Sequence, residues 1–246
     1  MIKRIKRIVN ELIQSQRKQV VVQNQLLNGQ NQLWASQKLN ALLGVSHFIP
    51  FTGWSMTPQA IVHCLNIINM QETKHIIEFG SGATTVYIAQ LLKLQKEPAV
   101  FYSIESDLNW KTKLEGQLTN LGLHDYVKII HCPLKEIVSD LSYKDQKTWY
   151  DVEILEAEIG KLIFDFVIVD GPFGGSTPYA RYSAYPFLKK NSHKETVWFL
   201  DDTNRTSELE IIKTWQAQSN LRLSSHHRYG LLFNESKFDA HPYAFQ

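Results

Sequence analysis

The stretch Ile76-Ile77-Glu78-Phe79-Gly80-Ser81-Gly82-Ala83-Thr84-Thr85 changes character at its centre. Its first half is a short apolar run of the kind that forms a buried strand. Two glycines around a serine then turn the chain into a helix, so the stretch opens a βα unit. Glycine permits positive φ and close approach of a ligand to the backbone, and a helix start offers unpaired N–H groups. A tight turn can use glycine for purely structural reasons, but two details favour a binding site. Position 85, where the dinucleotide fingerprint G-x-G-x-x-G has glycine, is threonine. Glu78, just before the turn, would repel a pyrophosphate and attract a ligand bearing a cationic amino group.

Outward from this unit, apolar runs alternate with helical stretches. HIIEF (75–79), VFYSIE (100–105), YVKIIH (126–131), LIFDFVIVD (162–170) and TVWFLD (196–201) read as strands. Helices are predicted after the capping pair Thr57-Pro58 and near 84–96, 109–121, 133–141, 180–190 and 205–219. This alternation implies right-handed crossovers and an α/β, Rossmann-like doubly wound sheet, mostly parallel. LRLSSHH (221–227) and YGLLFN (229–234) are too close for a crossover and should form an antiparallel hairpin at the sheet edge. Residues 142–161 read as a helical or irregular insertion.

The chain has 246 residues, 43% hydrophobic and 20% charged, enough for a globular core. No apolar run approaches the roughly 18 residues of a membrane span, and the basic start MIKRIKRIVNELIQ lacks the apolar region of a secretory signal. Two cysteines, Cys64 and Cys132, make neither a disulfide framework nor a zinc cage, which favours a reducing, cytoplasmic setting. Residues 1–44 carry +6, leaving −4 on the rest of a chain whose total is +2. They form an N-terminal amphipathic extension, set apart from a domain over 45–246. Ile2, Ile5, Val9 and Leu12, then Ile13, Val20, Leu27 and Trp34, fit one or two helices interrupted near Asn28-Gly29. Three partners compete for this extension: its own domain, a second copy in a coiled coil, or a membrane surface. Gln16, Gln19 and Gln23 weaken the coiled coil.

A second acid, Glu105 in VFYSIESD, ends the second predicted strand, where a carboxylate can accept hydrogen bonds from both ribose hydroxyls. Asp107 is the expected cap of the next helix. Glu78, Gly80, Gly82 and Glu105 together describe a site for a ribonucleoside with a charged, non-phosphate tail. The order E-F-G-S-G, an acid ending strand two, a D-G turn after strand four and a terminal hairpin resembles the class I S-adenosylmethionine-dependent methyltransferases over about residues 55–235. The resemblance implies that Glu78, Gly80, Ser81 and Gly82, with Thr84 and Thr85, surround the methionine part of the donor. It places Glu105 and Ser106 at the ribose, Cys132 and Leu134 beside adenine, and Asp170 at the edge of the donor. The segment 131–134 lacks the acid or amide that many members carry.

Asp170 in IVDGPFGGSTPYARY (168–182) and Asp201-Asp202 in FLDDTNR (199–205) end two adjacent predicted strands and should converge on one cleft. Gathered carboxylates repel unless a cation, a substrate base or a shared proton compensates, and a hard divalent metal would do so. The pattern resembles the Mg-dependent O-methyltransferases, including sugar-modifying ones. That resemblance implies Asp170, Asp201 and Asp202 as ligands of Mg and as the groups that position and deprotonate an acceptor hydroxyl. Pro172 stands where a D-G-D variant would have a third acid. The structural alternative makes Asp202 the cap of a helix near Thr203 and Asp201 a turn residue. The loop after Gly174-Gly175 brings Tyr179 and Arg181, and with Arg205 these suit a sugar or acidic small molecule. Phe48, Phe51 and Trp54 are lid candidates. His47, His226 and His227 are general-base candidates, whereas His63 and His75 read as structural. The expected function is O-methylation of a hydroxyl on a sugar or other small molecule. Its rivals are an NAD(P)-dependent oxidoreductase and a non-catalytic scaffold; a nucleic-acid acceptor is disfavoured by the acidic domain.

Overall fold

The apolar run His75–Phe79 forms β1, whose residues from Ile76 onward are buried because it has a parallel strand on each side. The computed structural model describes residues 2–44, 48–235 and 238–245. In chain order, helices α1 (Ile2–Leu43) and α2 (Pro58–Met70) precede β1, and α3 (Ala83–Leu94), β2 (Val100–Glu105), α4 (Leu108–Asn120) and β3 (Lys128–His131) follow it. Next come β4 (Leu134–Glu136), β5 (Thr148–Tyr150), α5 (Val152–Ile159), β6 (Phe164–Val169), α6 (Ala184–Leu188) and β7 (Ser192–Leu200). The chain closes with α7 (Thr206–Ala217), β8 (Arg222–Ser225) and β9 (Gly230–Phe233).

The main sheet has seven strands in the order β3-β2-β1-β6-β7-β9-β8. The pairs from β3 to β7 are parallel, and β9 is antiparallel to both β7 and β8. The expected hairpin is therefore present, with its second strand inserted inside and its first forming the edge. Successive strand residues face opposite sides, which splits the core in two. Ile76, Phe166 and Phe199 join one cluster with α2 and α3, while Ile77, Val167 and Trp198 join the other with Trp149 and Trp215. Thr57 caps α2 by accepting from Ala60 N, and Asp107 caps α4 by accepting from Asn109 N and Trp110 N at 2.8 and 3.0 Å.

Two expectations are corrected and a third is borne out in part. The extension is one helix that passes through Gly29 without interruption. The segment 133–141 is not an α-helix: the spacing of Leu134, Ile137 and Leu141 imitates one, but Leu134–Glu136 pairs antiparallel with β5 and a single 3-10 turn follows at Ser139–Leu141. The insertion 142–161 supplies that partner strand and α5, because burying Trp149 and Tyr150 outweighs the irregular composition around them.

What positions the site is the contact between the ends of β1 and β6. Gly80 has φ +92°, and a Cβ there would lie 2.8 Å from Gly171 N. A Cβ on Gly171 would in turn lie 2.7 Å from Gly80 Cα. No side chain fits between these backbones. Gly80→Ala should therefore cost on the order of 2–3 kcal/mol, read as a lowered urea midpoint by circular dichroism. Gly116→Ala, on the exposed face of α4 with no atom near its built Cβ, should instead raise stability by roughly 0.5–1 kcal/mol.

Candidate active site

The turn after β1 is held from below. Glu78 is fully buried, and its Oε2 accepts from Thr85 Oγ1 at 2.6 Å and Ser103 Oγ at 2.7 Å. Its Oε1 has no hydrogen-bond partner among the described residues. Thr85 Oγ1 also accepts from Gly82 N at 2.8 Å, so the threonine that breaks the dinucleotide fingerprint ties the glycine turn to the carboxylate. Burial raises the Glu78 pKa from 4.5 to about 7, against the opposing pull of the Thr85 and Ser103 hydroxyls. Glu78 thus lies beneath the turn and is not among the residues lining the cleft above it.

That cleft encloses about 580 Å³ and is lined by Gly80, Ser81, Gly82 and Thr84, by Glu105 and Ser106, and by Asp170. A Cβ on Gly82 would meet nothing, so the turn presents bare backbone to the space. Glu105 is 8% exposed; its Oε2 accepts from Ser81 N at 3.2 Å and its Oε1 from Asp107 N at 2.8 Å. Burial raises its pKa, while these backbone N–H groups pull the other way. Cys132 and Leu134 do not line the cleft. Cys132 N donates to Glu105 O at 2.7 Å, and its thiol is turned inward toward Asp151 O because the chain leaves β3 for the β4–β5 pair. The walls come instead from Trp110, Leu114 and Gln117 of α4, from Tyr150, and from Trp54 and Phe173. The Trp54 and Phe173 rings stand 4.6 Å apart, and Trp110 Nε1 donates to Ser81 O at 2.8 Å. Of the three lid candidates Trp54 lines this cleft, whereas Phe48 and Phe51 line a separate hollow. The signal for Trp110 was present in the sequence as a tryptophan in the first turn of a polar helix. Tyr150 had no such signal, since it depends on the β4–β5 pairing.

Asp170, Asp201 and Asp202 do converge, with one carboxylate oxygen from each within 4.8 Å of the others. Arginines surround them. Arg181 is 4% exposed and its Nη2 reaches Asp170 Oδ1 and Asp202 Oδ2, each at 3.1 Å. Arg228 Nε bonds Asp202 Oδ1 at 2.9 Å and its Nη2 lies 3.3 Å from Asp201 Oδ2. Arg205 Nη1 reaches Asp202 Oδ2 at 2.9 Å. Asp202 adopts φ +61°, and Arg205 occupies the N-cap position of the helix that follows without a side-chain cap bond, so Asp202 is not its cap. Asp201 is buried; its Arg228 contact is close enough for an ion pair but lacks hydrogen-bond geometry. Burial pushes its pKa up to about 6 despite Arg228, and burial with the neighbouring Asp201 charge holds Asp170 well above the usual carboxylate range.

These residues do not fit a divalent metal as they stand. Three guanidinium groups already match three carboxylates, both oxygens of Asp202 are taken, and Asp201 is sealed from solvent. A hard cation would have to displace buried Arg181 and leave its charge unpaired, which is strongly unfavourable. Of the acceptor-side residues, Arg181 belongs to this cluster. Tyr179 turns aside, its hydroxyl donating to Glu210 Oε2 at 3.1 Å. Arg205 remains about half exposed.

His226 stacks on Tyr229 at 4.5 Å within a group that includes His63 and His241, and none of these lines the cleft. His227 is exposed and also absent from its walls, and His47 lies outside the described residues.

No protein-family model matches this sequence, and no curated protein is significantly similar to it. Solved structures share its fold. The O-methyltransferase TomG from Streptomyces achromogenes, involved in tomaymycin synthesis and solved with S-adenosylmethionine, has a TM-score of 0.52 and 12% identity over 84% of this chain and 90% of its own. A putative caffeoyl-CoA O-methyltransferase from Staphylococcus aureus has 0.52 and 10% over 76% and 86%. The methyltransferase PaMTH1 of Podospora anserina, bound to S-adenosylhomocysteine, has 0.50 and 11% over 84% and 87%. The chain therefore has the fold of the class I S-adenosylmethionine-dependent O-methyltransferases.

The raised Glu78 pKa has a consequence for stability. The folded state binds its proton more tightly than the unfolded state, so Glu78 lowers stability as pH rises from 4.5 to about 7. His63, lowered from 6.5 to about 3, acts oppositely, gaining stability over an overlapping window. The difference between wild type and Glu78→Gln isolates the first effect. Urea titrations from pH 4 to 8 should show the wild type losing up to about 3 kcal/mol relative to the variant. A flat difference would mean that the Glu78 carboxyl titrates alike in the folded and unfolded protein.

Proposed function

We propose that this chain is an S-adenosylmethionine-dependent O-methyltransferase acting on a hydroxyl of a small molecule, with a sugar hydroxyl as the preferred acceptor. The observation that carries the reading is the cleft itself: bare glycine backbone, the Glu105 carboxylate and Asp170 all line one space. The fold shared with TomG and PaMTH1, both solved with donor or product, supports the same assignment. The sugar class rests on the resemblance of the 168–205 motifs to sugar-modifying members.

In this reading Glu105 accepts from the ribose hydroxyls, as its place at the end of β2 allows. Gly80, Ser81 and Gly82 hold the amino-acid end on backbone groups, and the Glu78 carboxyl group sits below them, where an ammonium above would favour its ionised form. Trp54, Trp110 and Phe173 exclude water from the remainder. S-adenosylmethionine supplies an activated methyl group on a sulfonium. Asp170 takes the proton of the acceptor hydroxyl. Burial and the neighbouring Asp201 charge raise its affinity for a proton, and Arg181 on Oδ1 fixes its orientation. Asp201 and Asp202 hold Arg181 and Arg228 in place, and Arg205 borders the acceptor. The cluster balances its own charge, so turnover is expected to persist in EDTA.

Titration calorimetry with S-adenosylhomocysteine and with NAD tests the donor assignment. Binding of the former only is expected, weakened by at least about tenfold in Glu105→Gln, which loses charge-assisted acceptance from the diol. Binding of NAD alone would overturn it. Asp170→Asn should keep product binding and lower methyl transfer from labelled donor by roughly 100-fold or more, the usual contribution of a general base. Wild-type turnover in that variant would remove Asp170 from the chemistry, and donor binding without turnover by wild type on any hydroxyl acceptor would favour the scaffold reading.

A further inference from the structure

Helix α1 is about 63 Å long at 1.5 Å per residue, and its C-terminal part meets the domain. Asn31, Ala35 and Leu39 are buried, Gln32 Oε1 accepts from Gln59 N at 3.0 Å, and Asn31 Oδ1 accepts from Phe245 N at 2.7 Å. Every described side chain from Lys6 to Leu26 is exposed. Val9, Val20, Val21 and Val22 with Asn10 and Asn24 lower the helix propensity of this stretch, so its helix gains from a surface to lie against.

The apolar residues of this arm are ordered. Leu12 and Ile13 lie three and four residues beyond Val9, and Ile13, Val20 and Leu27 recur every seven residues up to Trp34, with Leu12 60% and Val20 55% exposed; Val21, Val22 and Leu26 are exposed outside this series. The end of this stripe packs on the domain, where Trp34 lies against the core with its ring 5.2 Å from that of Tyr243, while Val9, Leu12, Ile13 and Val20 are exposed on the arm. Charge gives it a second character. Lys6, Arg17 and Lys18 are exposed on the arm, which with Lys3, Arg4 and Arg7 has six cations against the single acid Glu11, while the chain beyond residue 44 is net −4.

We infer that the N-terminal arm of α1 docks on an anionic lipid bilayer, lying in its surface. Among the described residues no helix is long and apolar enough to cross a membrane, but a basic amphipathic helix matches both the apolar boundary and the anionic headgroups of a bilayer surface. A parallel second copy would bring like charges together and place Gln16 and Gln23 in the seam between Ile13, Val20 and Leu27. The negative domain is repelled by the same lipid surface that attracts the arm, which leaves the arm as the contact. This role is independent of the chemistry in the cleft.

Co-sedimentation of the full-length protein with vesicles of phosphatidylglycerol and phosphatidylcholine in equal parts, beside pure phosphatidylcholine vesicles, tests it. Partition should be roughly tenfold or more stronger onto the anionic vesicles and should fall in high salt. The charge-reversed Arg17→Glu/Lys18→Glu variant and the stripe variant Leu12→Asp/Ile13→Asp should each lose roughly tenfold, with the domain's thermal transition unchanged. Equal partition onto both vesicle types, binding to neither, or binding that ignores both variants would overturn the inference. So would a lipid-free dimer in sedimentation velocity that the stripe variant dissolves, which would give the stripe to a second copy.

Discussion

The backbone contact between Gly80 and Gly171 is the constraint on which the rest of the site depends. It brings the ends of two parallel strands closer than any pair with side chains could come. The glycine turn, Glu105 on the neighbouring strand and Asp170 then share one cleft. A wider separation would leave the glycine-lined cleft and the acidic cluster as two unrelated features of a common sheet.

Beneath and beside that contact the protein buries an unusual amount of charge. Glu78 is sustained by two hydroxyl donors and by its tendency to hold a proton. Asp170, Asp201 and Asp202 are sustained by Arg181, Arg205 and Arg228, drawn from the loop after β6, the start of α7 and the terminal hairpin. Removing one member of such a network costs more than the pair contributed, because the partner is left buried and unpaired. The hairpin is thus more than an edge closure: Arg228 at its bend completes the balance. It also explains why a metal reading of the three aspartates is natural from sequence and poorly matched by the packed side chains.

The arm and the domain follow different rules. The domain is specified by burial, with tryptophans and phenylalanines filling both faces of the sheet. The arm buries little and carries its information in the placing of charge and apolar residues around a helix, so its structure and its partner are one question.

The sequence by itself determined the sheet, its hairpin, the glycine turn and the two caps, because each rests on local chemistry: short apolar runs, glycine at a bend, Thr57 and Asp107 at helix starts. It also brought Asp170, Asp201 and Asp202 together, since strand ends in a parallel sheet share an edge. Only the tertiary structure decided what those groups face. Glu78 turned under the cleft to meet Thr85 and Ser103, Arg181 turned inward to the aspartates, and Tyr150 and Trp110 became walls. The 133–141 segment became a strand and a turn. Each outcome depends on which distant residue is available to satisfy a buried charge or cover an apolar surface, and spacing along the chain does not encode that.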